Sequence, residues 1–325
     1  MIVEVTRGGL VESVHHIVAA AATARGDVLF SSGDIERPVF LRSSAKPFIA
    51  AAAVAAGAHE RFGLDARELA VMSASHKGEP FHVEAVKSIL RKIALDESAL
   101  QCGAQEGRGP SAVHNNCSGK HAGVLALCLT IGSDPTTYME LTNAAQAAIL
   151  AFCARISDDD PTTWPIGVDG CGIPVYATSI RKAAMAFARF ASLEELSSED
   201  AAALRVVRDA MIAFPEYVAG TGEFDTALMA AGAGSIACKF GAEGVHAVAY
   251  MPKKVGFASK VLDGTGGRAR APVTMAALRA LGAEASAAAE LQAFAHPIVY
   301  NRAGRAVGAI RVSSDFAILK ASTSS

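Results

Sequence analysis

The segment Arg42-Ser43-Ser44-Ala45-Lys46-Pro47 places a serine three residues ahead of a lysine where strand-like sequence gives way to helix. At a helix start, residues three apart share a face. Orphan N–H groups and the helix dipole there favour a developing negative charge. A serine hydroxyl is a poor nucleophile until a base takes its proton, and a neutral lysine can be that base. The spacing alone does not assign chemistry, because Ser179 and Lys182 repeat it. Context separates the two copies. Ser43 opens a helix after strands, whereas Ser179 reads as part of an amphipathic helix with Arg181 and Lys182 in water.

Two more segments carry hydroxyl and amine groups. Ser73-Ala74-Ser75-His76-Lys77 follows a short helix, Ala66 to Met72, and Cys238-Lys239-Phe240-Gly241 closes a late strand. Taken singly, they read as a polar loop and an edge-strand lysine. Together, a Ser-x-x-Lys, a central serine loop and a late Lys-x-Gly strand follow the order found in penicillin-recognising enzymes. A second cation near Lys46 would depress its pKa, because like charges disfavour protonation.

The densest polar stretch runs from His114 to Gly123 and puts Cys117 at a helix start, where a thiolate is favoured. Cys171 lies in the glycine-rich turn Val168 to Pro174. These two cysteines are compatible with a metal site, a catalytic thiol, a disulfide or unliganded thiols. They lack the paired CxxC spacing of structural zinc modules. Cys128 and Cys153 fall on helix faces and read as core. Gly264-Thr265-Gly266-Gly267 lacks the lysine of a phosphate-binding loop and reads as a plain loop.

The elements that must hold these groups form a pattern. Strands are predicted over Ile2–Thr6, His15–Ala24 and Val28–Ser31, the last two joined by a turn at Arg25-Gly26-Asp27. Helices follow over 46–56, ending at Gly57, and over 80–95, 119–131, 137–156, 177–190 and 199–214. Asp65 and Ser198 are expected to be N-caps. Strands return over 235–240, 245–251 and 256–262, then helices near 271–281 and 285–293, and closing strands at 298–301 and 305–312. The fold class is therefore α+β: an antiparallel sheet built from both chain ends, flanked by helices, with a mostly helical lobe. This arrangement is typical of serine β-lactamases and penicillin-binding enzymes. The chain reads as one catalytic domain, with the α/β part at about 1–60 and 220–325 and the helical lobe at about 61–219.

Composition narrows the function class. The chain has 325 residues, 51% hydrophobic and 19% charged, with net charge −2 and no basic run. Nucleic acid and anionic membrane surfaces are not expected partners. The longest apolar run, Phe48 to Ala58, is far short of the roughly 20 residues that span a bilayer. No secretion signal is read near Glu4 and Arg7, so the expected location is the cytoplasm, where the six cysteines stay reduced.

Over essentially its whole length the sequence resembles the rhizobial-type L-asparaginases. The shared blocks are Arg7-Gly8-Gly9 with Val11-Glu12-Ser13, Arg42 to Pro47, Ala74-Ser75-His76, Asn116-Cys117-Ser118-Gly119-Lys120-His121, Asp169-Gly170-Cys171 and Lys239-Phe240-Gly241. Ser44 stands where another member has alanine. The resemblance implies a β-lactamase-like hydrolase that forms a homodimer and releases ammonia from L-asparagine. It implies two catalytic pairs, Ser43 with Lys46 and Ser75 with Lys239, and one zinc ion held by Cys117, Lys120 and Cys171. Arg42, Asn116, His121 and Asp169 would line the substrate site. Alternatives left open are glutamine as substrate, a zinc hydrolase whose metal supplies hydroxide, and a non-enzymatic metal or small-molecule binder.

Overall fold

The structure is a computed structural model that describes residues 1–313 and the backbone of Ala317–Ile318. Residues 314–316 and 319–325, which the sequence reading assigns to the α/β part, lie outside the described residues. The chain divides into two compact units. One comprises residues 1–39, 178–192 and the chain from 227 on; the other comprises residues 40–177 and 193–226.

The first unit is built on a nine-stranded sheet. Its main path runs Ile298–Tyr300, Ala306–Val312, Ile2–Arg7, Leu10–Thr23, Val255–Val261, Val245–Tyr250 and Ile236–Gly241, with every neighbour antiparallel. Val28–Ser32 pairs with the long strand through Ala20↔Ser31, and Ala317 pairs with Ser31 in turn. Both chain ends therefore contribute, as the strand pattern predicts. Ile17 through Ala22 are buried without interruption, so both sheet faces are covered at the centre. Helices Ile180–Ser192 and Gly266–Ala280 pack on the sheet. Gly256 lets the first come close, since a Cβ there would lie 2.0 Å from Ala184 O.

The second unit is mainly helical. Lys46–Ala55 is buried from Lys46 to Val54 and packs against Ala144–Ser157 and Ser198–Ala213. Asp65 caps Ala66–Met72 through a full capping box with Glu68, as expected. Ile166–Val168 and Pro174–Ser179 form a hairpin around the Asp169–Cys171 turn.

Several boundaries differ from the sequence expectations. Helix 46–55 belongs to the helical unit, not to the sheet part, because its buried face meets other helices. The helix expected over 177–190 starts at Ile180; Ala177 to Ser179 complete a strand, and the Ser179 hydroxyl accepts the Lys182 N–H. Ser179 is therefore a cap at a strand–helix junction and not a helix-interior residue. Asn143 breaks the segment expected as one helix over 137–156, since its side chain caps Ala144–Ser157. The cap of Ser198–Ala213 is Ser197. The helix expected over 285–293 is replaced by two 3-10 turns and the short helix Gln292–Ala295.

Candidate active site and metal centre

Ten of the eleven residues singled out by sequence lie in the helical unit. Lys239 belongs to the sheet unit, fully buried on Ile236–Gly241, where its Nζ donates to Phe240 O at 2.8 Å and sits 3.8 Å from the Phe240 ring centroid.

Arg42 to Ala45 form a 3-10 turn that leads directly into helix Lys46–Ala55. Arg42 takes φ +52, a left-handed conformation uncommon for a residue with a side chain and one that concentrates at functional sites. The turn is anchored where Leu41 N–H meets Tyr176 O and the Ser44 hydroxyl donates to Leu41 O at 2.6 Å. Ser43 is buried to 8% exposure, and among the described residues its hydroxyl has no hydrogen-bond partner. Lys46 has no exposed surface. Its Nζ reaches Ala74 O, Ser75 Oγ at 3.0 Å and Asn116 O at 3.4 Å. Burial pushes the Lys46 pKa down; Lys120 adds to this, and the Cys117 and Cys171 thiols oppose it.

The spacing of sequence joins Lys46 to Ser43, but the hydrogen bond goes to Ser75. The three contacts suit either charge state. An ammonium donates to all three oxygens; a neutral amine donates to two carbonyls and accepts the Ser75 proton. Proton transfer between Ser75 and Lys46 therefore requires no rearrangement of heavy atoms.

The Ser75 loop is tied to the Cys117 loop by His76. Gly78 N–H donates to His76 Nδ1 at 3.0 Å, which leaves the proton on Nε2. That N–H donates to Ser118 Oγ at 2.9 Å, and Ser118 donates onward to Val113 O at 2.8 Å. On the Cys117 side, Asn115 Oδ1 accepts the Cys117 N–H, and Gln105 Oε1 accepts the Asn116 N–H.

Cys117, Lys120 and Cys171 come together at the start of Ser118–Ile131. Lys120 Nζ is 3.0 Å from Cys171 Sγ and 4.0 Å from Asp169 Oδ2. A hydrogen bond from Cys171, with the charges of Lys46 and Lys120, outweighs burial and holds Cys117 well below the usual thiol range, while the same hydrogen bond and burial push Cys171 up. Burial opposes the charge on Lys120, but Cys117, Cys171 and Asp169 outweigh it and raise its pKa. Arg42 grips Asp169 with Nε at 3.0 Å and Nη2 at 2.8 Å. Burial works against the Asp169 charge too, yet Lys120 and Arg42 hold its carboxyl below the ordinary range.

Two thiols and an amine brought together form a donor set of sulfur and nitrogen that zinc would take. None of the six cysteines forms a disulfide. His121, on the same helix turn, is fully buried with Nδ1 2.5 Å from the Tyr138 hydroxyl. Sequence reasoning missed Tyr138 and Gln105. Tyr138 lies in a stretch that reads as helix, and no periodicity points it at His121.

Residues 3–312 match the protein family described as L-asparaginase II. No curated protein matches the chain. Among solved structures, a beta-lactamase from Mycobacterium bovis is 14% identical, with TM-score 0.44, covering 78% of this chain and 89% of its own. Mglu, solved in its native form in 4.3 M NaCl, is 16% identical, with TM-score 0.36, covering 78% of this chain and 58% of its own. No helix among the described residues is long and apolar enough to cross a membrane.

Proposed function

The chain belongs to the L-asparaginase II family, and from that premise we propose that it hydrolyses the side-chain amide of L-asparagine to aspartate and ammonia through an acyl-serine. The observation that carries this reading is the fully buried Lys46 amine against Ser75 Oγ, with its pKa lowered by burial. A neutral amine at that place can take a serine proton at neutral pH. Ser43, at the mouth of the helix and with its hydroxyl uncommitted, attacks the amide carbon as Lys46 accepts the proton. The protonated Lys46 returns it, through Ser75, to the nitrogen that leaves as ammonia. Water then adds to the ester, giving a proton to Lys46, which passes it to Ser43 Oγ as the ester bond breaks and aspartate departs. Arg42 and Asp169 carry opposite charges side by side, which suits the α-carboxylate and α-amino groups of one amino acid.

A second reading has Ser75 as the nucleophile, favoured by its direct 3.0 Å contact with Lys46. Ammonia release from L-asparagine and L-glutamine, with Ser43→Ala and Ser75→Ala alongside, tests both. The expected result is release from asparagine, with S43A inactive and an ester-linked adduct trapped on Ser43 in S75A by mass spectrometry. An adduct on Ser75 transfers the role to that residue. No release from either amide by folded, zinc-supplied protein sinks the proposal.

Zinc is the metal this donor set suits, held by Cys117, Lys120 and Cys171. When bound it would supply a fixed positive charge beside the substrate. The chain's own contribution is a matter of protons. A thiolate, a thiol and an ammonium carry no net charge, and neither do two thiolates, a neutral amine and Zn²⁺. One zinc therefore displaces two protons, from Cys171 and Lys120. Zinc affinity should rise about 100-fold per pH unit near neutrality. Calorimetry in buffers of different ionisation enthalpy reads the proton count, and a count near zero would refute the ligand set.

A further inference from the structure

His121 lies one residue beyond Lys120, with no exposed surface, and Tyr138 is equally buried. Their rings meet edge to face, 5.4 Å apart at 87°. The Tyr138 hydroxyl accepts the Gln101 backbone N–H at 2.9 Å and lies 2.5 Å from His121 Nδ1. Gln146 holds the Tyr138 backbone from the far side, donating to its carbonyl at 2.6 Å.

Two proton arrangements satisfy the contact between the rings. If His121 Nδ1–H donates to the hydroxyl, the Tyr138 proton has no acceptor among the described residues, and His121 Nε2 is a buried bare lone pair. If the Tyr138 hydroxyl donates to Nδ1, every group is used except Nε2–H. The second arrangement leaves one orphan where the first leaves two, and buried polar groups left unpaired are rare. His121 Nε2 is in either case buried without a partner. An imidazolium would leave both the Tyr138 hydroxyl proton and the Nε2–H unpaired, so the contact favours the neutral ring.

We propose that Tyr138 is a positioning residue whose hydroxyl locks His121 in the Nε2–H tautomer, and that this N–H binds a negatively charged oxygen of the substrate. A buried N–H without a partner calls for an acceptor, and an oxygen that carries negative charge is the strongest one a substrate can offer. In the amide-hydrolysis reading, on which this half of the proposal rests, the oxygen belongs either to the α-carboxylate or to the carbonyl that gains charge under attack. The tautomer half stands apart from that reading.

Two measurements test it. Nitrogen-15 chemical shifts of the imidazoles, with the His121 signals among nine histidines assigned by their loss in His121→Ala, report the tautomer without any turnover. The Nε2–H pattern is expected; an Nδ1–H tautomer or an imidazolium at neutral pH overturns the proposal, whatever the protein hydrolyses. Steady-state kinetics then compare Tyr138→Phe, His121→Ala and the double variant. Tyr138→Phe should lower kcat/KM by about 10–100-fold, and the double variant should be no worse than His121→Ala alone. Losses that multiply mean Tyr138 does not act through His121. A rise in KM alone places the oxygen on the α-carboxylate; a fall in kcat places it on the attacked carbonyl. Should Tyr138→Phe fail to fold, the shifts of the wild-type protein still decide the tautomer.

Discussion

Lys46→Met and Lys46→Arg are both expected to lose amide hydrolysis by about 10²–10⁴-fold, Lys46→Met with little movement of thermal unfolding. Methionine matches the length of the lysine stem and removes the amine. Arginine keeps a positive charge but cannot give up its proton. If the site needs only a cation, the arginine variant survives; if it needs a base, both fail. The stability of Lys46→Met should stay close to that of the parent because two costs oppose each other. Removing the fully buried amine relieves its desolvation, whereas Ala74 O and Asn116 O lose a donor and Ser75 Oγ its partner. The pH profile follows from the direction of the Lys46 shift. Burial lowers its pKa, so the base appears as pH rises through a value below the ordinary lysine range, and kcat/KM should rise with pH across it. A Lys46→Met enzyme that keeps more than a tenth of parental turnover would remove Lys46 from the mechanism.

Sequence carried the sheet well because its strands announce themselves locally. Alternating and β-branched runs predict the meander Ile236–Gly241, Val245–Tyr250 and Val255–Val261 to within a residue or so. It misread places where a side chain overrides propensity. Asn143 turns its carboxamide onto Ala145 N and stops what looks like a continuous alanine-rich helix. Ala177 to Ser179, which read as the start of a helix, end the strand Pro174–Ser179 instead. The site divides in the same way. Cys117 at a helix start and Ser43 beside Lys46 are local features. The meeting of Lys120 with Cys171, 51 positions apart, is a tertiary contact that no spacing encodes, and only the family resemblance anticipates it. Ser75 as the hydrogen-bond partner of Lys46 is the same kind of fact, as is the Tyr138 hydroxyl on His121.

Gly119 shows how tightly the fold constrains that site, and Gly119→Ala should be among the most damaging single-methyl additions in the unit. A Cβ at this position would lie 2.0 Å from Val71 O and 2.7 Å from Val71 C. Those are backbone atoms, which cannot turn aside. Helices Ser118–Ile131 and Ala66–Met72 would have to part, at about 3 kcal/mol or more. Gly123 lies one turn further along the same face and provides the control. Its Cβ would meet the Met72 side chain, 2.8 Å from Cε, and a methionine tip can swing away at about 1 kcal/mol. Denaturant unfolding of the two variants measures the difference, and equal stabilities would mean the helices do not touch at Gly119. Activity should fall further than stability. Val71 leads through Ser73 into Ser75, while Gly119 sits between Cys117 and Lys120, so separating the helices moves the serine and the thiols apart. Gly119→Ala assayed well below its unfolding temperature should therefore turn over slowly as folded protein, whereas Gly123→Ala should retain most of its kcat.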